Sequence, residues 1–473
     1  MTFPKMRLWA LAMLLPAALT ARQAADTTPV VHSLSARQAA ELALKQRNEV
    51  INARLDVANQ QAFNRQVTGA AYPQIKGSIN LANNFNIPVT VLPDFISPSV
   101  YGVLEREGVK DGNGNDIKWD GVINTFPAQF GVPWQASLNA SVQQLLFQPD
   151  VFVGLKARSY AVDLYEKQVA VAEDSVKSNV YRNYYSVLIA KKGLLFAKES
   201  ELRLAKLYSD QVQLQKNGFI EKLDIEKTQV SLNNIRTSVT QLENLVSVTE
   251  AVLKFSLALP QYAKLILTDS LSEEMLMKDV LLLETGFTYE NRSEVRAVMA
   301  SQELLSLQVQ RYKLNAYPTI AAFWNIGTSA QRQRFNFFDT GDRWFYSSIG
   351  GINMSMALFD GGQRRNLVKQ ASIALEKSRN NLNYLKQSVD LQVVSARTSL
   401  TNAIAALSSQ RQNKELAEKV YASTKTKYEN GLGSSFELLQ AETSLQQSLS
   451  NYFESLYGAV VARIGYVRAL GKL

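Results

Sequence analysis

The sequence has no cysteine and only one histidine, His32. Without cysteine the chain can form no disulfide, no thiolate metal site and no cysteine nucleophile. We expect His32 to lie in a disordered lead of the mature chain, so neither histidine-based acid–base catalysis nor metal binding is expected. Gly361 and Gly362 are not followed by the lysine and the serine or threonine that a phosphate loop requires. The sequence therefore predicts neither an enzyme nor a bound cofactor.

Long apolar runs are also lacking, with one exception at the amino terminus. There Lys5 and Arg7 precede an apolar stretch from Leu8 to Leu19, which is typical of a secretory signal peptide and which we assign to residues 1–25. No later stretch approaches the ~18 apolar residues that a membrane-spanning helix needs. The net charge of +9 is spread without a basic stripe, which argues against a nucleic-acid partner.

What the sequence does contain is a duplication. The segment GAAYPQI at 69–75 is echoed by LNAYPTI at 314–320, and RNEV upstream of the first copy is echoed by RSEV at the same distance from the second. Two ungapped echoes at one offset indicate two repeats. We place them at 26–259 and 290–473, joined by a connector at 260–289.

The first repeat is longer than the second. Its additional residues fall near 84–133, in a segment rich in proline, glycine and asparagine. Such a composition predicts a long surface loop.

Each repeat also contains a long helical segment. Apolar or small residues recur at heptad spacing from Val151 to Gln215 and from Gln363 to Glu429, which predicts helices of the coiled-coil type. At 1.5 Å per residue the later helix alone is roughly 100 Å long. Asn217-Gly218 and Asn430-Gly431 then end the two helices, and a second helix follows each turn. Each repeat is therefore expected to form a helical hairpin.

Before each hairpin the periodicity changes to two, which predicts four strands with one apolar face. The apolar positions are Ile75, Gly77, Ile79 and Leu81; Trp134, Ala136, Leu138, Ala140 and Val142; Ile320, Ala322, Trp324 and Ile326; and Gly350, Ile352, Met354, Met356 and Leu358. Aromatic residues cluster near the strand ends. Taken alone, these strands fit an outer-membrane barrel and a soluble sandwich about equally well.

The number of strands constrains the membrane interpretation. A sheet that spans a bilayer has to close, because every unpaired backbone group left in hydrocarbon costs several kcal/mol. Four strands are too few, whereas three copies supply twelve, an even number within the range of bacterial barrels. This predicts a mainly α-helical subunit built from duplicated strand–helix repeats. Three subunits would form a trimeric 12-stranded outer-membrane barrel, continued by a long periplasmic α-helical barrel.

The order and spacing of these segments resemble the TolC-like outer membrane efflux family. The resemblance covers nearly all of the mature chain, through LSARQAAELALKQRNEV at 34–50, both AYP segments, ALFDGGQRRNLVKQA at 357–371 and YENGLGSSFELLQAETSLQQSLSNY at 428–452. Residues from Pro260 to about Gly286 are similar to the equatorial belt of that family.

The resemblance implies a passive exit duct in the outer membrane that extends into the periplasm. The implied partners are two further copies of the chain in a homotrimer, a periplasmic adaptor (membrane fusion) protein, an inner-membrane pump of the RND or ABC type, and outer-membrane lipid. The implied cargo is small toxic compounds, with type I polypeptide secretion as the alternative.

The resemblance also implies roles at the hairpin ends. In this family, acidic side chains just after the turns face the axis and narrow the closed periplasmic aperture. The matching positions are Asp224 and Glu437, and Gln440 stands where some relatives have a second acid. Alternatively, both acids only stabilise a helix start, where a carboxylate suits the helix dipole. The turn residues resemble the tips that contact the adaptor: Asn217, Gly218, Phe219, Asn430, Gly431 and Leu432.

A secreted coiled-coil scaffold with a small soluble β region is the rival from another class. It explains the heptads and the duplication. It does not explain why the apolar strand faces come as two hairpins, each set between long helices. Extraction separates the two hypotheses, because a duct needs detergent and a scaffold belongs in the soluble periplasmic fraction.

Overall fold

The computed structural model describes residues 31–270, 287–339, 341 and 343–473. The signal peptide assigned to 1–25 and residues 271–286 of the connector lie outside the described residues. Over the part of the chain that is described, no helix combines the length and the hydropathy needed to cross a membrane.

The amino-terminal repeat contains five strands and five helices within the described residues. In chain order they are β1 (Val31–Leu34), α1 (Ala36–Gln46), α2 (Asn48–Gly69), β2 (Gln74–Asn83), β3 (Val89–Pro93), α3 (Ile96–Arg106), β4 (Thr125–Gln129), β5 (Trp134–Phe147), α4 (Pro149–Lys216) and α5 (Lys222–Ser256).

The connector and the second repeat follow. Their described elements are β6 (Lys264–Leu267), a short 3₁₀ turn (Tyr289–Asn291), α6 (Ser293–Leu314), β7 (Thr319–Arg332), β8 (Phe345–Ser355), α7 (Gln363–Glu429) and α8 (Ser435–Ala469).

The chain divides into two compact units. Unit 1 comprises the described residues within Met1–Arg47, Val176–Asp279 and Thr401–Ile464. Unit 2 comprises those within Asn48–Ser175, Val280–Leu400 and Gly465–Leu473. The hairpin turns belong to unit 1, and the four strands with an apolar face belong to unit 2.

Unit 1 begins with β1, which corrects the expectation for His32. Instead of lying in a disordered lead, His32 pairs with Leu265 where β1 runs parallel to β6. The pairing is anchored on both sides, since the Tyr184 hydroxyl donates to the Leu34 carbonyl at 2.9 Å and the Asp269 carboxylate accepts from the Ala36 N–H at 2.8 Å. These partners satisfy the backbone of a segment that the sequence alone gave no reason to order.

The long helices confirm the heptad prediction. Helix α7 runs from Gln363 to Glu429, and α4 runs from Pro149 to Lys216. In unit 1 these two helices pack with α5 and α8 around an apolar core made of Leu204, Leu207, Leu232, Ile235, Leu438 and Leu439. The core therefore takes side chains from both repeats.

In unit 2 the four predicted strands form one antiparallel sheet in the order β2-β5-β7-β8. The register places the predicted apolar residues on one face, as in the row that joins Ile79, Leu138, Thr328 and Tyr346. Strand β8 ends at Ser355, opposite the first residue of β7. Met356 and Leu358, expected in this strand, therefore lie beyond its end because no partner strand remains for them.

The segment near 84–133 is more structured than the predicted loop. Strands β3 and β4 pair as an antiparallel ladder outside the four-stranded sheet, and α3 lies between them in the chain. These elements have only five, eleven and five residues. Elements this short carry too few periods to stand out from a loop composition.

Candidate functional site

The two hairpin turns of unit 1 have the same backbone geometry. Gly218 and Gly431 adopt positive φ angles of 80° and 73°, a conformation that favours glycine. The next residue closes the turn in each repeat: the Phe219 N–H donates to the Leu214 carbonyl at 3.0 Å, and the Leu432 N–H donates to the Lys427 carbonyl at 2.9 Å. This Schellman pattern ends α4 and α7 sharply.

The side chains at these turns divide into two kinds. Asn217 and Asn430 turn back and donate to carbonyl groups of their own helices, those of Gln213 at 3.0 Å and Thr426 at 2.8 Å. Phe219 and Leu432 do the opposite, with exposed fractions of 75% and 81%. Each turn thus presents an exposed apolar side chain, which is not needed to end the helix.

The predicted aperture acids lie at the starts of α5 and α8. Glu437 closes a capping box with Ser434: the Glu437 N–H donates to Ser434 Oγ at 3.2 Å, and the Ser434 N–H donates to Glu437 Oε2 at 3.4 Å. Asp224 lies in the first turn of α5 and accepts from Lys227 Nζ at 3.5 Å. Gln440 is exposed on α8. A helix-start role therefore exists for both acids, whatever further role they have.

Tyr428 belongs to α7 of the second repeat and packs against the apolar core that both repeats share. Its hydroxyl oxygen is buried and has no hydrogen-bond partner within the described residues. Burial raises the pKa of Tyr428, and the charges of Asp210 and Asp224 raise it further. The charge of Asp224, on a helix of the first repeat, thus raises the pKa of a residue on a helix of the second repeat.

A buried polar cluster in unit 1 was not predicted from the sequence. It consists of Ser200, Arg203, Tyr421 and Glu442, and we name it the Glu442 cluster. Glu442 is only 2% exposed. Its carboxylate accepts from Ser200 Oγ at 2.5 Å, and it accepts from Arg203 through Nη2 at 2.9 Å and Nε at 3.0 Å. The two Arg203 bonds form a bidentate pair, the strongest geometry for such a contact.

The cluster joins three helices from two repeats. Ser200 and Arg203 belong to α4, Tyr421 to α7 and Glu442 to α8, and the Arg203 guanidinium lies 5.5 Å from the centroid of the Tyr421 ring. Burial would lower the pKa of Arg203, but the hydrogen bonds and charge of Glu442 outweigh it and raise that pKa. Burial, followed by the Glu442 charge, raises the pKa of Tyr421. Arg203 therefore stays protonated beside a neutral phenol.

One feature of the sequence does signal this cluster. Glu442 falls on the same helical stripe as the buried Leu438, Leu445 and Leu449. A carboxylate on an apolar stripe needs a charged or hydrogen-bonded partner. Which residue supplies the partner could not be deduced, because Arg203 lies in the other repeat.

Comparisons with known proteins point to one family. Residues 288–472 match the family model described as outer membrane efflux protein. The chain is 20% identical over 351 residues to outer membrane protein TolC of Vibrio cholerae, which covers 71% of this chain and 77% of that protein. It is also 20% identical over 345 residues to outer membrane protein TolC of Salmonella enteritidis. That alignment covers 72% of this chain and 70% of the Salmonella protein.

Solved channels share the fold. The outer membrane protein VceC of Vibrio cholerae matches with a TM-score of 0.65 at 14% identity, over 92% of this chain and 96% of that one. CusC matches with a TM-score of 0.70 at 16% identity, over 93% of this chain and 92% of that one. The CmeC outer membrane channel of Campylobacter jejuni matches with a TM-score of 0.69 at 13% identity, over 92% of this chain and 85% of that one. The predicted fold class, mainly α with a membrane β-barrel and a long helical domain, is confirmed.

Proposed function

We propose, from the premise that this chain is an outer membrane efflux protein of the TolC-like family, that it is the exit duct of a tripartite efflux system. It lies in the outer membrane and extends into the periplasm. As a homotrimer it conducts small toxic compounds passively, and an inner-membrane pump of the RND or ABC type supplies the energy. A periplasmic adaptor connects the pump to the duct.

The proposed trimer is supported mainly by the open edges of the four-stranded sheet. The sheet of unit 2 is open, since β2 pairs only with β5 and β8 pairs only with β7, and one face is apolar along its length. An open edge in hydrocarbon leaves several backbone groups unpaired at several kcal/mol each. Three copies joined edge to edge, β8 of one to β2 of the next, remove every open edge and give twelve strands.

The hairpin tips support adaptor docking. Phe219 and Leu432 lie at turns that are closed by backbone hydrogen bonds, and both side chains are exposed. An exposed apolar side chain on a hydrogen-bonded turn suits insertion into the groove between two helices of a partner. The repeats give two such tips per subunit, and so six in a trimer.

The docking proposal can be tested by crosslinking in cells. Because the sequence has no cysteine, a single cysteine in place of Phe219 or Leu432 gives a unique probe. These positions are preferable to Gly431, whose φ of 73° strains any other residue. We expect both variants to crosslink to a periplasmic adaptor, and a cysteine in place of Leu391, an exposed residue of α7 in unit 2, to yield none.

Efflux is measured in the same strains. Cells that lack the duct should accumulate a fluorescent amphiphilic dye, and the wild-type chain should restore export. Export without any adaptor crosslink from either tip would contradict docking at the tips. Failure of the wild-type chain to restore export would contradict the duct itself.

A separate prediction distinguishes the two hypotheses for Glu437. Glutamine in its place keeps the capping box, since glutamine serves at that position, but removes the charge, whereas alanine removes both. If Glu437 lines the aperture, Glu437→Gln should lower the preference for potassium over chloride several-fold in planar bilayers. Glu437→Ala should show the same shift and also weaken the helix start by about 1 kcal/mol.

Asp224→Asn is the matching variant in the first repeat and should shift selectivity in the same direction. Wild-type selectivity in both Glu437→Gln and Asp224→Asn would leave stabilisation of the two helix starts as the role of these acids.

A further inference from the structure

The second face of the four-stranded sheet is mostly polar, with Phe323, Phe345 and Ile349 among its large apolar residues. Its residues alternate with the apolar set and include Gln74, Ser78, Asn80, Ser137, Asn139, Ser141, Asn325 and Ser329. The four strands, all within the described residues, contain only two charged residues, Lys76 and Arg332. Since the apolar face meets lipid in a membrane barrel, the polar face lines the lumen.

The two charged residues differ in their surroundings. Arg332 is the last residue of β7, opposite Trp134, and it donates to the Arg343 carbonyl at 2.9 Å. Lys76 lies within β2 on the polar face, in the row that continues through Ser141, Asn325 and Ile349.

The row contains no acid, and Lys76 is exposed without an ion-pair partner among the described residues. Lys76 is thus the one charge on the polar face within the sheet.

We propose that Lys76 forms a ring of three ammonium groups in the barrel lumen that binds polyvalent anions. The inference rests on the proposed trimeric duct. It assigns the membrane end a charge preference opposite to that of the acids at the hairpin ends.

The dimensions decide whether such a ring affects the pore. Twelve strands about 4.8 Å apart and tilted by about 40° give a circumference of about 75 Å and a backbone radius of about 12 Å. A lysine side chain reaches about 6 Å from its Cα, so the ammonium groups lie about 6 Å from the axis and about 10 Å from each other. The Debye length at 0.1 M salt is also about 10 Å. An ion on the axis therefore remains inside the field of all three groups.

The spacing also selects the ligand class. One phosphate cannot touch three ammonium groups that are about 10 Å apart, whereas a short chain of phosphates can bridge two of them and stay within the field of the third. Each ammonium offers three donors to anionic oxygens. The ring should therefore favour flexible anions with several charges over small monovalent ones.

The test uses purified, full-length mature protein in planar lipid bilayers, with tripolyphosphate added to one side and then to the other. We expect tripolyphosphate to block the wild-type current from at least one side. The half-blocking concentration should rise about tenfold or more in Lys76→Gln, because three unit charges are removed at once. Lys76→Arg keeps the charge and should keep the block, and Asn80→Gln, a neutral change on the same face, should leave it unaltered.

The outcomes separate this inference from the duct itself. A wild-type protein that inserts but carries no current would overturn the proposed function. A wild-type protein that conducts but is not blocked from either side would overturn only the Lys76 ring. A block that is equally strong in Lys76→Gln would do the same.

Discussion

Replacing Arg203 by alanine is expected to loosen unit 1 by about 3–5 kcal/mol, because it leaves the Glu442 charge buried without its cation. Glu442 is 2% exposed, so water cannot replace the bidentate contact. A loss of about 3 kcal/mol corresponds to more than a hundredfold change in an equilibrium constant. Backbone amides of α4 and α8 that flank the Glu442 cluster should therefore exchange with solvent about a hundred times faster, as measured by hydrogen–deuterium exchange.

The matched control is an exposed ion pair in the same unit, between α4 and α5. Arg236 and Glu201 lie 3.2 Å apart with side chains 53% and 30% exposed. Exposed pairs of this kind contribute about 0–1 kcal/mol, so Arg236→Ala should change exchange several-fold at most. Equal effects of Arg203→Ala and Arg236→Ala on exchange would show that the buried ion pair contributes no more to stability than the exposed one.

Two more variants separate the cost of the unpaired charge from the value of the pair. Glu442→Ala should cost less than Arg203→Ala, since the Arg203 side chain is 28% exposed and can be hydrated after its partner is lost. The double replacement Arg203→Met with Glu442→Leu should recover most of the stability, because a well-packed apolar pair avoids the desolvation of two ions.

The long helices and the sheet face could be predicted because their signals are local and repeated. Helix α7 has the predicted bounds, Gln363 and Glu429, since a heptad pattern over many turns ends at an asparagine–glycine stop. The apolar row through Ile79 and Leu138 follows from a strict period of two. In both cases many residues report the same feature, so single exceptions do not matter.

The parts that could not be predicted depend on contacts between distant segments. The sequence shows Glu442 on an apolar stripe but does not identify Arg203, which lies 239 residues away. His32 is ordered by its pairing with β6, another long-range contact. At the hairpin ends, the turn geometry of Gly218 and Gly431 is local and was predicted. The sequence predicted only that an acid at position 437 suits the helix dipole, and not that Glu437 closes a capping box with Ser434.

Ile79→Arg is expected to prevent assembly in the outer membrane. Ile79 lies in the middle of β2 on the apolar face, beside Leu138. An arginine on the lipid face costs about 2–4 kcal/mol near the bilayer midplane. A trimer carries three copies, so the assembled barrel loses about 6–12 kcal/mol in total. The measurement is the amount of heat-modifiable trimer recovered from the outer-membrane fraction on unheated SDS gels, which should fall to a small fraction of wild type.

Ser78→Arg is the matched control because it introduces the same side chain one position earlier on the same strand. Its side chain points to the polar face, in the row with Asn139, where water hydrates the guanidinium. We expect normal amounts of trimer from this variant. The contrast also discriminates against a soluble scaffold: in a single subunit Ile79 is 81% exposed, so an arginine there would cost a soluble protein almost nothing. Equal trimer yields from the two variants would mean that the apolar face of the sheet does not meet lipid.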